Sequence, residues 1–157
     1  MIQRIQTVYM MIVIVLMGAG LIPSLIRFYD GTKEIAYMTN WTFTEQGHIS
    51  TWAPSALAIL SLIVIGLTFM SVFLFRFRLR QIRLLIFTTI LLVGYITLVI
   101  LGTWKFSMQI HIPFDFENNI HANYSLIFPA ISIILNGMAI YSIRKDEKLV
   151  RSLDRLR

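Results

Sequence analysis

Cysteine is absent from the 157 residues, so the chain can build no disulfide, no thiolate metal site and no thiol nucleophile. Charge is scarce too: Asp, Glu, Lys and Arg make up 14% of the residues, where soluble globular proteins carry roughly a quarter. That scarcity is localised. Four long stretches, residues 8–26, 55–75, 84–104 and 124–143, contain no Asp, Glu, Lys, Arg or His at all. Proton-coupled pumps and most ion pathways place an ionisable residue within the membrane, which makes the chain alone a poor transporter candidate. A b-type haem needs an axial ligand such as histidine inside the bundle, and the stretches supply none. A glycine-rich phosphate loop is missing, and the Ser and Thr residues have no His and Asp at recognisable spacing. The expectation is therefore a non-enzymatic protein with no cofactor and no metal.

Apolar residues, by contrast, make up 57% of the chain and gather in the same four stretches. Each is about 20 residues, or roughly 30 Å at 1.5 Å per residue, which matches the thickness of a bilayer's hydrocarbon core. The fold expected is an all-α integral membrane protein, an antiparallel four-helix transmembrane bundle forming a single domain. Its spans lie at about 5–26, 55–75, 84–104 and 123–143. A cleavable signal peptide is the competing reading of the first, because Arg4, the apolar run and Gly18-Ala19-Gly20 imitate its three regions. The run continues past the small residues to Ile26, which favours an uncleaved anchor.

Two longer polar segments, 27–54 and 105–122, join the spans on one side. Tyr29-Asp30-Gly31-Thr32 reads as a turn leaving the first helix. Ile35, Tyr37, Thr39, Trp41 and Phe43 alternate with smaller and polar residues and read as one strand, which Glu45-Gln46-Gly47 turns back through His48–Trp52. Phe106, Met108, Ile110 and Ile112 alternate in the same way up to Pro113 and are expected to add a third strand to this hairpin. Phe114–Ala122 reads as a polar connection. Trp52 and Trp104 fall at span ends and Trp41 within the first polar segment, and all three are expected to anchor at the headgroups.

Orientation is read from the basic residues. Eleven of the fourteen lie in the N-terminus, the link 76–83 and the tail 144–157, and only Arg27, Lys33 and Lys105 lie in the two polar segments. Arg76, Arg78, Arg80 and Arg83 with Arg144, Lys145, Lys148, Arg151 and Arg155 are thus expected to hold lipid headgroups, with both termini in the cytoplasm. Leu149, Leu153 and Leu156 recur at helical spacing among the basic residues, so the tail is expected to be a short amphipathic helix on the membrane surface. Basic residues placed at span ends are accounted for by orientation, and no nucleic-acid partner is expected. Inside the fourth span, Pro129 is expected to kink the helix, while Asn136 serves as hydrogen-bonding glue or lines a cleft. His48, His111 and His121 all lie in the polar segments near Glu45, Asp115 and Glu117, but their spacing matches no zinc or calcium pattern.

The two ends carry a resemblance. Met1-Ile2-Gln3-Arg4-Ile5-Gln6-Thr7-Val8-Tyr9, together with the run from Ile143-Arg144-Lys145-Asp146-Glu147-Lys148 to Arg157, resembles an uncharacterised family of small membrane proteins of Bacteroidota, classed as a domain of unknown function. The resemblance implies a four-helix protein of a bacterial inner membrane and carries over no active site. Two functions remain open. One is a structural or accessory subunit, or a scaffold, that meets membrane lipids and a membrane-protein partner or a second copy of itself. The other is a binder or carrier of a lipid, quinone or other apolar molecule.

Overall fold

The computed structural model describes residues 3–30, 33–45, 48–50, 52–74, 77–111 and 119–154. Four helices, α1 (Gln3–Gly20), α2 (Trp52–Phe73), α3 (Arg78–Gln109) and α4 (Ile127–Asp154), form a ring in which each packs on its neighbours in sequence and α1 closes on α4. Between α1 and α2 run four strands, β1 (Ile26–Asp30), β2 (Lys33–Met38), β3 (Phe43–Glu45) and β4 (His48–Ser50); β5 (Ile120–Ala122) precedes α4. All five form one antiparallel sheet in the order β4-β3-β2-β1-β5. The sheet lies at one end of the bundle, while the start of α1, the end of α4 and the α2–α3 link lie at the other.

Three of the helices, α2, α3 and α4, are long and apolar enough to cross a membrane, while the apolar part of α1, Ile5–Gly20, is shorter. The expected first span thus ends at Gly20 instead of Ile26. Glycine at a helix end with Pro23 three residues on is a stop signal, because proline disfavours the helical conformation in the residue before it. The next element is β1, so Tyr29 and Asp30 belong to the end of a strand, not to a turn leaving the helix. Gly31 and Thr32, the rest of that expected turn, lie outside the described residues, as do Gln46 and Gly47 between β3 and β4.

The single strand expected from Ile35 to Phe43 is two strands. Thr39 breaks it: its hydroxyl oxygen accepts from the backbone N–H of Trp41 (3.1 Å) and of Thr42 (2.9 Å), and its own N–H donates to the Thr42 carbonyl (2.9 Å). A threonine side chain that takes the backbone's donors in this way stabilises a turn against extended structure. Both polar segments do contribute to one sheet, as expected, but the second does so through Ile120–Ala122, and Phe106, Met108 and Ile110 of the expected strand are not part of it. Phe106 to Gln109 continue α3, which is 32 residues long, about 48 Å. Its buried residues Val99, Thr103, Phe106 and Ser107 keep a three-to-four spacing, which overrides the period-two pattern. The helix stops at His111, whose backbone is left-handed (φ 58°) and whose N–H donates to the Met108 carbonyl. Ile112 lies outside the described residues.

The tail is also corrected. It is no separate surface helix, since α4 runs without a break to Asp154.

Side-chain phase explains the assembly of sheet on bundle. Ile26, Phe28, Ala36, Met38, Phe43 and Ile120 point to one face of the sheet and are buried against Leu57 of α2 and Tyr95, Val99 and Phe106 of α3. Phe43 stacks on Phe106 with ring centroids 4.0 Å apart and near-parallel planes, and Phe28 meets Phe43 edge-on. Arg27, Tyr37 and His121, cross-strand neighbours on β1, β2 and β5, take the opposite, exposed face. A bulge between Phe28 and Tyr29 shifts the register once along β1.

Candidate functional site

The turn between β2 and β3 enters the mouth of the bundle. Asn40, 1% exposed, donates from its side-chain amide to the Gly20 carbonyl (2.8 Å) and accepts at Oδ1 from the Tyr95 hydroxyl (2.7 Å). Beside it the Trp41 indole N–H donates to the Leu21 carbonyl (3.2 Å). The last carbonyls of a helix have no partner within it, so these two side chains complete the C-terminus of α1. The same contacts lock the sheet to α1 and α3. Ser24 extends the joint: its carbonyl accepts from the Ser125 hydroxyl (2.7 Å), and its own hydroxyl accepts from Asn123 (2.9 Å), which ties in the start of α4.

Further polar side chains descend through the interior at heptad spacing. On α3 these are Gln81, Thr88 and Tyr95, and on α4 and the turn before it Ser125, Ser132 and Asp146, all buried. Halfway down, the Asn136 amide donates to the Thr88 hydroxyl (3.2 Å), while its Oδ1 is buried without a hydrogen-bond partner. At the end far from the sheet, Gln81 donates to the Ser71 carbonyl (3.2 Å) and approaches the Met10 sulfur (3.7 Å). There Asp146, 8% exposed, accepts from Gln6 at its carboxylate and from Arg78 at its backbone carbonyl (3.4 Å). Hydroxyls of Ser61, Thr68, Thr103 and Ser132 donate back to carbonyls one turn earlier in their own helices. Amides and hydroxyls bonded in this way, to one another or to the backbone, can specify helix register.

The residues singled out by sequence fall in several places. Arg78, Arg80 and Arg83 lie on the first two turns of α3, with the Arg80 guanidinium 4.6 Å from the centre of the Phe77 ring; Arg76 is outside the described residues. Arg144, Lys145 and Lys148 are exposed on α4, which also includes Arg151, whereas Arg155 and Leu156 are outside the described residues. Trp41 and Trp104 are about half exposed, and Trp52 opens α2. Pro129 and Asn136 are both buried in helix packing. His48 and His121 lie on the two opposite edge strands, roughly 19 Å apart at about 4.8 Å per strand. His121 packs edge-on against Tyr29 (4.9 Å), and Asp115 and Glu117 are outside the described residues. Among the described residues no three His, Asp or Glu come together in a way that holds a metal ion.

Reading by span missed Gln6, Asn40, Gln81, Tyr95 and Asp146. The signal that finds three of the interior groups is the seven-residue spacing of Gln81, Thr88 and Tyr95, which places them on one helix stripe.

No curated protein matches the chain significantly. One family model, described as a domain of unknown function (DUF4293), matches residues 2–156, so that the terminal resemblance extends over nearly the whole length and the chain belongs to this family.

Proposed function

We propose that the protein is a non-enzymatic, multi-pass protein of a bacterial inner membrane, with its termini and the α2–α3 link in the cytoplasm. On this reading it serves as a structural or accessory subunit, or scaffold, of a membrane assembly. The carrying observation is the division of its surfaces. Large apolar side chains are exposed on every helix, among them Val15 (64%), Ile59 (58%), Ile90 (60%) and Ile134 (64%), while polar side chains such as Gln6, Gln81, Thr88 and Asn136 are buried among the apolar residues of the interior. Water would not tolerate such an exterior over several helices, and lipid would. The outer face of the sheet, with Arg27, Tyr37 and His121, then stands clear of the bilayer as a rigid platform.

The scaffold reading is supported by how the polar interior is used. The side-chain bonds of Asn40 with Tyr95, Asn136 with Thr88 and Gln6 with Asp146 tie separate elements together, and Asn136 is buried by packing. Affinity purification from native membranes, followed by mass spectrometry, tests the reading: a membrane protein recovered in fixed stoichiometry is expected. Recovery of the chain with no protein partner, and as a monomer, would count against it.

A further inference from the structure

Under the sheet, α2 and α3 part to leave a cleft of about 170 Å³. Met38 of β2, Ala56 and Leu57 of α2, and Leu98, Leu101, Gly102 and Phe106 of α3 line it, and Lys105 is the one charged residue in the lining. We propose that this cleft holds an acyl chain of an anionic phospholipid, whose phosphate is met by the Lys105 ammonium. The inference rests on the membrane placement proposed above.

Four observations carry it. The first is size and lining: the cleft is smaller than the roughly 300 to 1,000 Å³ of pockets for drug-sized ligands, and apart from Lys105 its lining is apolar, so it suits a segment of a flexible hydrocarbon chain. The second is Gly102. A Cβ there would stand 3.7 Å from the Met38 sulfur and 3.9 Å from the Phe106 ring, ordinary contact distances, so the missing side chain leaves room that the backbone does not require to be empty. The third is depth. Lys105 comes directly after the 21 uncharged residues 84–104, about 31 Å of helix, which puts its ammonium where hydrocarbon gives way to phosphate.

Charge accounting is the fourth. Of the three basic residues at the sheet end, Arg27 pairs with Glu34 (3.5 Å), and Lys33, at the start of β2, is not among the residues that line the cleft. Lys105 is exposed and has no ion pair among the described residues. A zwitterionic headgroup would offer it a phosphate with a competing ammonium attached; an anionic one offers the phosphate alone.

The test is retention. The full chain is placed in nanodiscs of equal parts phosphatidylglycerol and phosphatidylcholine, re-extracted in mild detergent, and its bound lipids are read by native mass spectrometry. The wild type is expected to keep one phosphatidylglycerol. Lys105→Gln should lower its retention relative to phosphatidylcholine about fivefold, the worth of one cation near an anionic surface, and Lys105→Arg should restore it. Gly102→Leu, which fills the cleft, should remove bound lipid of both kinds. Equal retention of the two lipids by the wild type, no change in Lys105→Gln, or a bound quinone or fatty acid instead would overturn the proposal. Carbonate extraction of native membranes separates this from the underlying reading: a chain released by carbonate is not integral, whereas a chain that stays but keeps no phosphatidylglycerol defeats the lipid site alone.

Discussion

Asn40 is one side chain serving two elements, and its removal should be costly for that reason. Asn40→Ala leaves the Gly20 carbonyl without its side-chain donor and the Tyr95 hydroxyl with Ser61 alone, and a buried group that loses its partner costs about 1–3 kcal/mol. Tyr95→Phe removes the hydroxyl and orphans only the Asn40 oxygen. Thermal unfolding in detergent should therefore rank Asn40→Ala below Tyr95→Phe below wild type, and the double variant should be no worse than Asn40→Ala alone. Fully additive losses would mean that the two groups do not share a bond. Thr88 and Asn136 give the opposite expectation. Asn136 already carries one unpartnered oxygen, so replacing both residues by apolar ones, Thr88→Val with Asn136→Leu, should change stability by less than about 1 kcal/mol. Thr88→Val alone should cost about 0.6 kcal/mol, the average for such a bond in a membrane bundle. A double variant that unfolds readily would show that the halfway layer sets the packing of α3 on α4.

At the scale of elements, the end away from the sheet depends on a joint between the first turns of α1 and α3 and the last third of α4. Asp146 is received there by Gln6 and Arg78, which holds α4 as one helix where a surface-lying segment was expected from Leu149, Leu153 and Leu156. Gln6→Ala should loosen this joint. Hydrogen exchange at 147–154 is expected to quicken roughly tenfold, the equivalent of one lost bond to a charged group, while exchange at 131–140 stays as in the wild type. Equal quickening in both would mean that α4 opens as a unit. The helical stretches were legible because charge-free runs of about 20 residues have few other uses, and so was an outer sheet drawing on both polar segments. The ends of elements were less so. A strand beginning at Ile26 is hidden inside an apolar run, and only Gly20 and Pro23 mark the break. The extension of α3 past Lys105 is masked by a chance alternation, since Phe106, Met108 and Ile110 fit both periods. His111 then ends the helix with a conformation that glycine or asparagine would have announced. Asn40 and Tyr95 stayed invisible because their partnership spans 55 residues, and no local pattern encodes a contact of that range.

For the whole molecule, the decisive property is which end faces the cytoplasm, and charge and shape bear on it independently. The two polar segments that build the sheet end carry most of the acidic residues of the chain and only three of its fourteen basic ones. At the opposite end Arg78, Arg80 and Arg83 open α3, and Arg144, Lys145 and Lys148 lie on the emerging part of α4. Basic residues within reach of a span resist transfer across the membrane, so the far end should remain in the cytoplasm. Because the chain has no cysteine, single substitutions report cleanly. Lys33→Cys lies exposed on the sheet and Lys145→Cys exposed on α4, and neither side chain forms an ion pair among the described residues. In spheroplasts, an impermeant maleimide should label the first and spare the second, with both labelled after lysis. Labelling of the second alone in sealed cells would invert the molecule, and with it the side on which the sheet lies. Labelling of both would mean that the chain is not fixed in one orientation. Substituting Arg78, Arg80 and Arg83 together by Gln supplies the causal test, since it leaves the sheet and its joint at Asn40 untouched. If charge alone sets the orientation, some Lys145→Cys label should then appear in sealed cells. If the folded sheet also resists passage through the bilayer, the pattern should hold even without those three cations.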